Sequence, residues 1–169
     1  MRVRIALTGS MLLLPLALSA EPGPPITAVF NVEVKGVRLG PDVGERLADY
    51  LGGRLAATGR YQVVPRDQLR ARLVEQKKSS YKACFEQSCQ IELGKELAAQ
   101  KTVSTQVIRL GSQCKVTLTL YDLARAATEG GAYASGPCTE DGIVASLDEA
   151  VASPPGMRGA WCASRGEVR

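Results

Sequence analysis

Thr102-Val-Ser-Thr-Gln-Val-Ile-Arg-Leu-Gly-Ser-Gln-Cys-Lys-Val-Thr-Leu-Thr-Leu-Tyr-Asp-Leu123 is the stretch that decides the fold. Its two arms, Thr102 to Leu110 and Lys115 to Leu123, alternate apolar and polar side chains with a period of two, and Gly111-Ser112 between them is a turn signal. β-Branched residues at this spacing fit a pleated surface with one buried face, so an antiparallel hairpin is predicted here. A weaker strand is expected at about 131–135, after Glu129-Gly-Gly131. Suppose 114–121 pairs with 131–138 so that Cys114 stands opposite Cys138. Val116, Leu118 and Leu120 then oppose Gly136, Ala134 and Ala132, large against small, as packing under a helix favours. Lys115, Thr117, Thr119 and Tyr121 form a polar outer face, and a slip of one residue would put the second strand's side chains on the wrong side. A cross-strand disulfide Cys114–Cys138 is expected in that register, with two buried free thiols as its alternative.

Upstream, Thr27-Ala-Val-Phe-Asn-Val-Glu-Val34 has the alternation of a half-buried strand, interrupted by Val29. Gly36 to Gly40 reads as a loop, and Gly36-x-x-x-Gly40 lacks the Lys-Ser/Thr of a phosphate loop. Pro41 and Asp42 suit a helix start. Val43, Leu47, Tyr50, Leu51 and Leu55 then recur at helical spacing until Gly59. A short strand, Arg60 to Val64, leads to a second helix from Asp67 to about Gln76 with Leu69 and Leu73 inward. Lys77-Lys-Ser-Ser80 is a polar loop. Ser88 is a candidate cap for a third helix, Cys89 to Ala99, with Ile91, Leu93 and Leu97 on its apolar side. Gly94 weakens that helix unless close packing requires it. Thr139-Glu-Asp141 opens a last helix carrying Ile143, Val144, Leu147 and Val151, and Ser153-Pro-Pro-Gly156 ends it. The order is β-α-β-α-α-β-β-β-α, an α/β (α+β) class with a mixed β-sheet covered by helices.

The N-terminus reads as an export signal over residues 1–20. Arg2 and Arg4 form a basic start, Ile5 to Leu18 is mostly apolar, and Ala17-Leu-Ser-Ala20 supplies small residues for cleavage at Ala20. The apolar run is shorter than the ~20 residues that span a bilayer and contains Pro15. The mature chain is therefore expected to be no integral membrane protein. A Pro-rich linker (21–26), one domain (27–152) and a disordered tail (153–169) are expected to follow. The full chain has 21 Lys and Arg against 17 acids, and removing 1–20 takes two of the bases with it. The remaining surplus is scattered, with two Phe and one Trp, which argues against nucleic-acid binding.

Five cysteines, Cys84, Cys89, Cys114, Cys138 and Cys162, suit an oxidising compartment, with two bridges and Cys162 unpaired. Cys84 and Cys89 read as a disulfide pinning the start of a helix. A redox pair, and free or metal-bound thiols, are the alternatives, although thioredoxin-like motifs use C-x-x-C and not this longer spacing. Histidine is absent from the sequence, which removes Ser-His-Asp and Cys-His catalysis in their usual forms and every His-containing zinc site. Glu45, Asp49, Glu92 and Glu96 fall at helix-surface positions, and Glu92 and Glu96 read as a solvated face with Lys95. No enzyme activity, cofactor or metal is expected.

Three segments taken in order, Tyr61-Gln-Val-Val-Pro-Arg-Asp-Gln-Leu69, Cys89-Gln-Ile-Glu-Leu-Gly-Lys-Glu-Leu-Ala98 and Val116-Thr-Leu-Thr-Leu-Tyr-Asp122, resemble exported bacterial envelope proteins related to the TolB amino-terminal domain, CsgG and the penicillin-binding-protein activator LpoB. The resemblance covers about residues 27–151. It implies a non-catalytic periplasmic interaction module, accessory to an outer-membrane or cell-surface assembly such as secretion, cell-wall or motility machinery. Its partners would be envelope proteins, and a homo-oligomer is compatible with it. The chain departs from these relatives in having no lipid-anchor Cys, no following β-propeller and none of the segments that build a CsgG-type pore. The rival expectation is a thiol-redox or thiol-sensing protein using Cys84 and Cys89, or Cys162.

Overall fold

The computed structural model describes residues 23–75 and 84–153. The signal segment with Ala20, residues 21–22 of the linker, the Lys77–Ser80 loop, Cys162 and the tail beyond Ser153 lie outside the described residues. The elements are β1 (Ile26–Val29), β2 (Glu33–Lys35), α1 (Val43–Ala57), β3 (Gln62–Val63), α2 (Arg66–Glu75), α3 (Gln87–Glu96), β4 (Lys101–Leu110), β5 (Gln113–Asp122), β6 (Ala127–Pro137) and α4 (Glu140–Ala152). They form one mixed sheet of order β3-β1-β4-β5-β6, with β2 pairing along the far half of β4. β1 runs parallel to β3 and β4, while β4, β5 and β6 are antiparallel. The α+β class expected from the sequence is the one the chain adopts.

Helices sit on both faces of the sheet and define two apolar clusters. On one face α1 contributes Val43, Leu47, Leu51 and Leu55, and α4 contributes Ile143, Leu147 and Val151, over Val29, Val103, Val107, Val116 and Leu118. On the other, Leu69 of α2 and Leu93 of α3 close over Ala28, Phe30, Val64 and Leu123. Covered from both sides, β1 loses the alternation of a half-buried strand: every residue from Thr27 to Val32 is buried. Val29 broke the pattern because both faces are apolar there.

The single strand expected over Thr27 to Val34 is instead two, separated by Phe30-Asn-Val32. Helix α1 causes the break. Val32 N–H donates to the Gly44 carbonyl at 3.1 Å, and a Cβ on Gly44 would lie 2.6 Å from the Val32 oxygen, so only glycine lets the helix approach this closely. Three other expectations change. Tyr50 is exposed and donates from Oη to the Asp148 carboxylate at 2.8 and 2.9 Å, so it faces α4 from outside the core. Helix α3 begins at Gln87 with Glu86 at its N-cap, which places Ser88 inside the first turn. Its last turn ends at Glu96, and Ala98 has a positive φ of 53°. Gly94 is explained by packing: an added Cβ would meet Thr102 Cγ2 at 2.6 Å and Leu123 Cδ1 at 2.8 Å.

Strand β6 is twice as long as the expected 131–135. Glu129-Gly-Gly131 lies within it, and the turn falls at residues 123–126, where Ala126 has a φ of 51°. Val116 pairs with Ala134 and Leu118 with Ala132, two residues away from the expected register. The shift is even, so the faces are conserved: Val116, Leu118 and Leu120 are buried, and Lys115, Thr117, Thr119 and Tyr121 are on the other side. A four-residue turn and one bulge, at Leu120/Tyr121, set the offset.

Candidate interaction surface

Two outer regions of the molecule are built differently. The first is a crevice of about 350 Å³ beyond the carboxyl end of β1, lined by Asn31, Val32, Val34, Leu39, Glu45 and Phe85. Helix α1 leaves β1 on one face and α2 and α3 return on the other, so this is where the connections diverge, the usual ligand position in open α/β sheets. Beside it, the polar groups pair with one another. Arg66 donates from Nη1 to the Val29 carbonyl at 3.1 Å and from Nη2 to Asn31 Oδ1 at 2.6 Å, and its Nε lies 2.7 Å from Asp49 Oδ1. Arg70 and Glu45 form a second ion pair beside it. The guanidinium satisfies the Val29 backbone carbonyl and the buried side-chain oxygen of Asn31.

The second region is the outer face of the β4–β5–β6 sheet. Helices α2 and α3 cover only the β3-β1-β4 side, so Ser104, Gln106, Ile108, Lys115, Thr117 and Tyr133 line a half-exposed surface. Its polar groups pair locally: Gln106 Nε2 donates to Glu33 Oε2 at 2.5 Å and Lys115 Nζ to Ser135 Oγ at 2.5 Å. At one end, Lys101, Asp122, Arg125 and Glu129 form a four-charge network. The Arg125 backbone N–H and guanidinium both donate to Asp122, holding its carboxyl below the usual aspartate range. On the opposite side of the molecule, Arg46–Glu140 (2.8 Å) and Arg54–Asp148 (2.6 Å) tie α1 to α4. The hydrogen bond to Asp148 raises the Tyr50 phenol above its ordinary value.

Two disulfides brace this frame. Cys84 and Cys89 are joined, with Cα atoms 5.7 Å apart, at the first turn of α3. Gln90 Nε2 donates to the Cys84 carbonyl at 3.1 Å, fixing the same turn from inside. Cys114 and Cys138 are joined with Cα atoms 5.0 Å apart. They are not directly opposed as the expected register had them, because Cys114 faces Gly136. The chain leaves β6 after Pro137 and turns toward α4, which brings Cys138 back over Cys114. The bridge therefore staples the β6–α4 turn to β5. Thr139 caps α4 here by accepting from Gly142 N–H at 3.1 Å, and Gly142 and Gly136 have no room for a Cβ. Cys84 and Cys114 are buried, and their partners Cys89 and Cys138 are half-buried. Glu92 and Glu96 lie on the exposed side of α3, as their spacing suggested.

No protein-family model and no curated protein matches this sequence. Solved structures do share the arrangement just described. The LpoB C-terminal domain from Salmonella enterica superposes with a TM-score of 0.58 at 14% identity, over 70% of this chain and 87% of that one. This chain has the LpoB C-terminal fold. The same domain from Escherichia coli gives 0.57 at 14% identity, covering 71% and 87% of the two chains. Lipoprotein GNA1162 from Neisseria meningitidis gives 0.53 at 12% identity, covering 68% and 81%. The resemblance to LpoB read from three short segments is thus met in three dimensions. Identity this low carries the likeness of fold and leaves function to be argued separately.

Proposed function

We propose that this chain is a non-catalytic module exported to the periplasm, where it acts through contacts with envelope proteins as an accessory to an outer-membrane or cell-surface assembly. The observation that carries the reading is the fold shared with the LpoB C-terminal domain, found in a chain whose N-terminus has the pattern of an export signal. The two disulfides support it, since such bridges persist in oxidising compartments. So does the chemistry of the polar groups: Arg66, the cation nearest the crevice beyond β1, is engaged by Val29, Asn31 and Asp49. The half-exposed polar face of the β4–β5–β6 sheet offers a surface for such contacts.

In-cell photo-crosslinking tests this directly. A photoreactive residue is placed in turn at Thr117 on the sheet face, Ala57 at the end of α1 and Gln87 at the start of α3. The module reading expects adducts with another envelope protein from a contiguous subset of positions. Absence of any adduct, together with turnover of an ester, peptide, phosphate or sugar substrate by the purified chain, would contradict it.

A further inference from the structure

We propose that strand β6 is a homodimerisation edge, pairing antiparallel with β6 of a second copy about a two-fold axis at Tyr133. This goes beyond the module reading and does not depend on which envelope protein the chain meets.

The sheet ends unequally. Its β3 edge is two residues long, whereas β6 has eleven and pairs on its inner side only with β5 among the described residues. Long edges of this kind are normally guarded by Lys, Pro, bulges or inward charges. On β6 the guards stand at the two ends. The bulge that leaves Glu129 unpaired, between Thr128 and Gly130, interrupts the start, and Pro137 closes the finish. Between them Gly130-Gly-Ala-Tyr-Ala-Ser-Gly136 carries no charge and no proline.

What selects a second copy as occupant is the symmetry of that window. Antiparallel self-pairing about Tyr133 sets Ala132 against Ala134, Gly130 against Gly136 and Gly131 against the small Ser135, so small residues meet small ones on either side of the axis. An isologous interface needs this self-complementarity, and an unrelated peptide would not. On the outer face Tyr133 is 52% exposed, with Gly131 and Ser135 as its neighbours two residues away. In the dimer each tyrosine lies opposite its mate and diagonally over the partner's glycine, where an aromatic ring covers backbone that glycine leaves bare. On the inner face, α4 packs over β5 as well as β6, and close contacts at Gly136 and Gly142 hold it there. Helix α4 thus covers the inner face of β6 and leaves the strand's outer backbone edge unpaired among the described residues. The Cys114–Cys138 bridge fixes the end of the strand, so pairing orders little additional chain.

The test is sedimentation velocity on the oxidised, exported chain carrying Cys162→Ser, so that no inter-chain disulfide contributes. The chain is expected to dimerise over a micromolar to sub-millimolar concentration series. Tyr133→Lys and Tyr133→Glu should each weaken the dimer by about tenfold or more, because the axis places like charges face to face. An equimolar mixture of the two should restore dimers. Circular dichroism checks each fold, and Tyr133→Thr supplies a third variant with a β-compatible side chain. A parent that stays monomeric over the whole series would overturn the proposal. A dimer that both charge variants leave intact, or that the mixture fails to restore, would overturn the two-fold at Tyr133.

Discussion

Replacing Arg66 by Met should destabilise the protein far more than replacing any of its surface arginines. The methionine keeps most of the aliphatic stem, so the change isolates the guanidinium. Two of its hydrogen bonds go to acceptors with almost no access to water: the carbonyl of Val29, which is 1% exposed, and Oδ1 of Asn31, which is 5% exposed. A buried acceptor left unpaired costs about 1–3 kcal/mol. The third partner, Asp49, has a side chain 53% exposed and regains water readily, so its share is small. The sum is about 2–6 kcal/mol. With a urea m-value of about 2 kcal/mol/M for a domain of this size, the midpoint should fall by roughly 1–3 M. Arg54→Ala is the control: its 2.6 Å pair with Asp148 is surface-exposed on both sides, and such pairs contribute about 0–1 kcal/mol. The assay is equilibrium urea unfolding followed by circular dichroism, with both disulfides intact. Equal midpoints for Arg66→Met and Arg54→Ala would refute the view that this arginine seals the break between β1 and β2.

Gly94→Ala should destabilise by about 1–3 kcal/mol despite the gain in helix propensity, since its methyl has no space against Thr102 and Leu123; thermal unfolding reads the sign. Removing the Cys114–Cys138 bridge with paired serines should cost roughly 3 kcal/mol, and removing Cys84–Cys89 roughly 2 kcal/mol, because the first spans 24 residues and the second 5. Comparing denaturant midpoints of the two double mutants checks the order. Asp122 has a lowered carboxyl pKa in the folded state, so its contribution is present above the unfolded value near pH 4 and is lost as pH falls through the folded value. Asp122→Asn should therefore flatten the decline in stability as pH falls below about 4, measured as midpoint against pH.

The helices and the central hairpin were legible because burial imposes a period. Leu47, Leu51 and Leu55 mark α1 wherever they sit in the sequence, and the parity of Val116, Leu118 and Leu120 fixes the inward face of β5 whatever its register. Parity does not fix the offset. The four-residue turn and the bulge near Glu129 decide that, and neither leaves a pattern in composition, so the cysteines were matched two residues out of step. Strand β6 was underestimated because Gly, Ala and Ser have weak strand preference, and Glu129-Gly-Gly131 has the composition of a turn. The Arg66 cluster escaped notice because isolated polar residues have no periodicity. Its available signal was Asn31, a lone amide in an otherwise apolar run, which a buried strand tolerates only with a donor at hand. The Lys101–Asp122–Arg125–Glu129 network joins residues from β4, β5, the turn and β6, and only the hairpin geometry brings them together.

This chain is proposed to be an exported domain closed by two disulfides. Its most direct test is mass spectrometry of the protein recovered from the envelope fraction, alkylated before and after reduction under denaturing conditions. The account predicts a chain beginning at Glu21, with Cys84 linked to Cys89 and Cys114 to Cys138, none of the four taking label until reduced. An intact Met1 terminus fractionating with membranes, or label on any of those four cysteines before reduction, would contradict it.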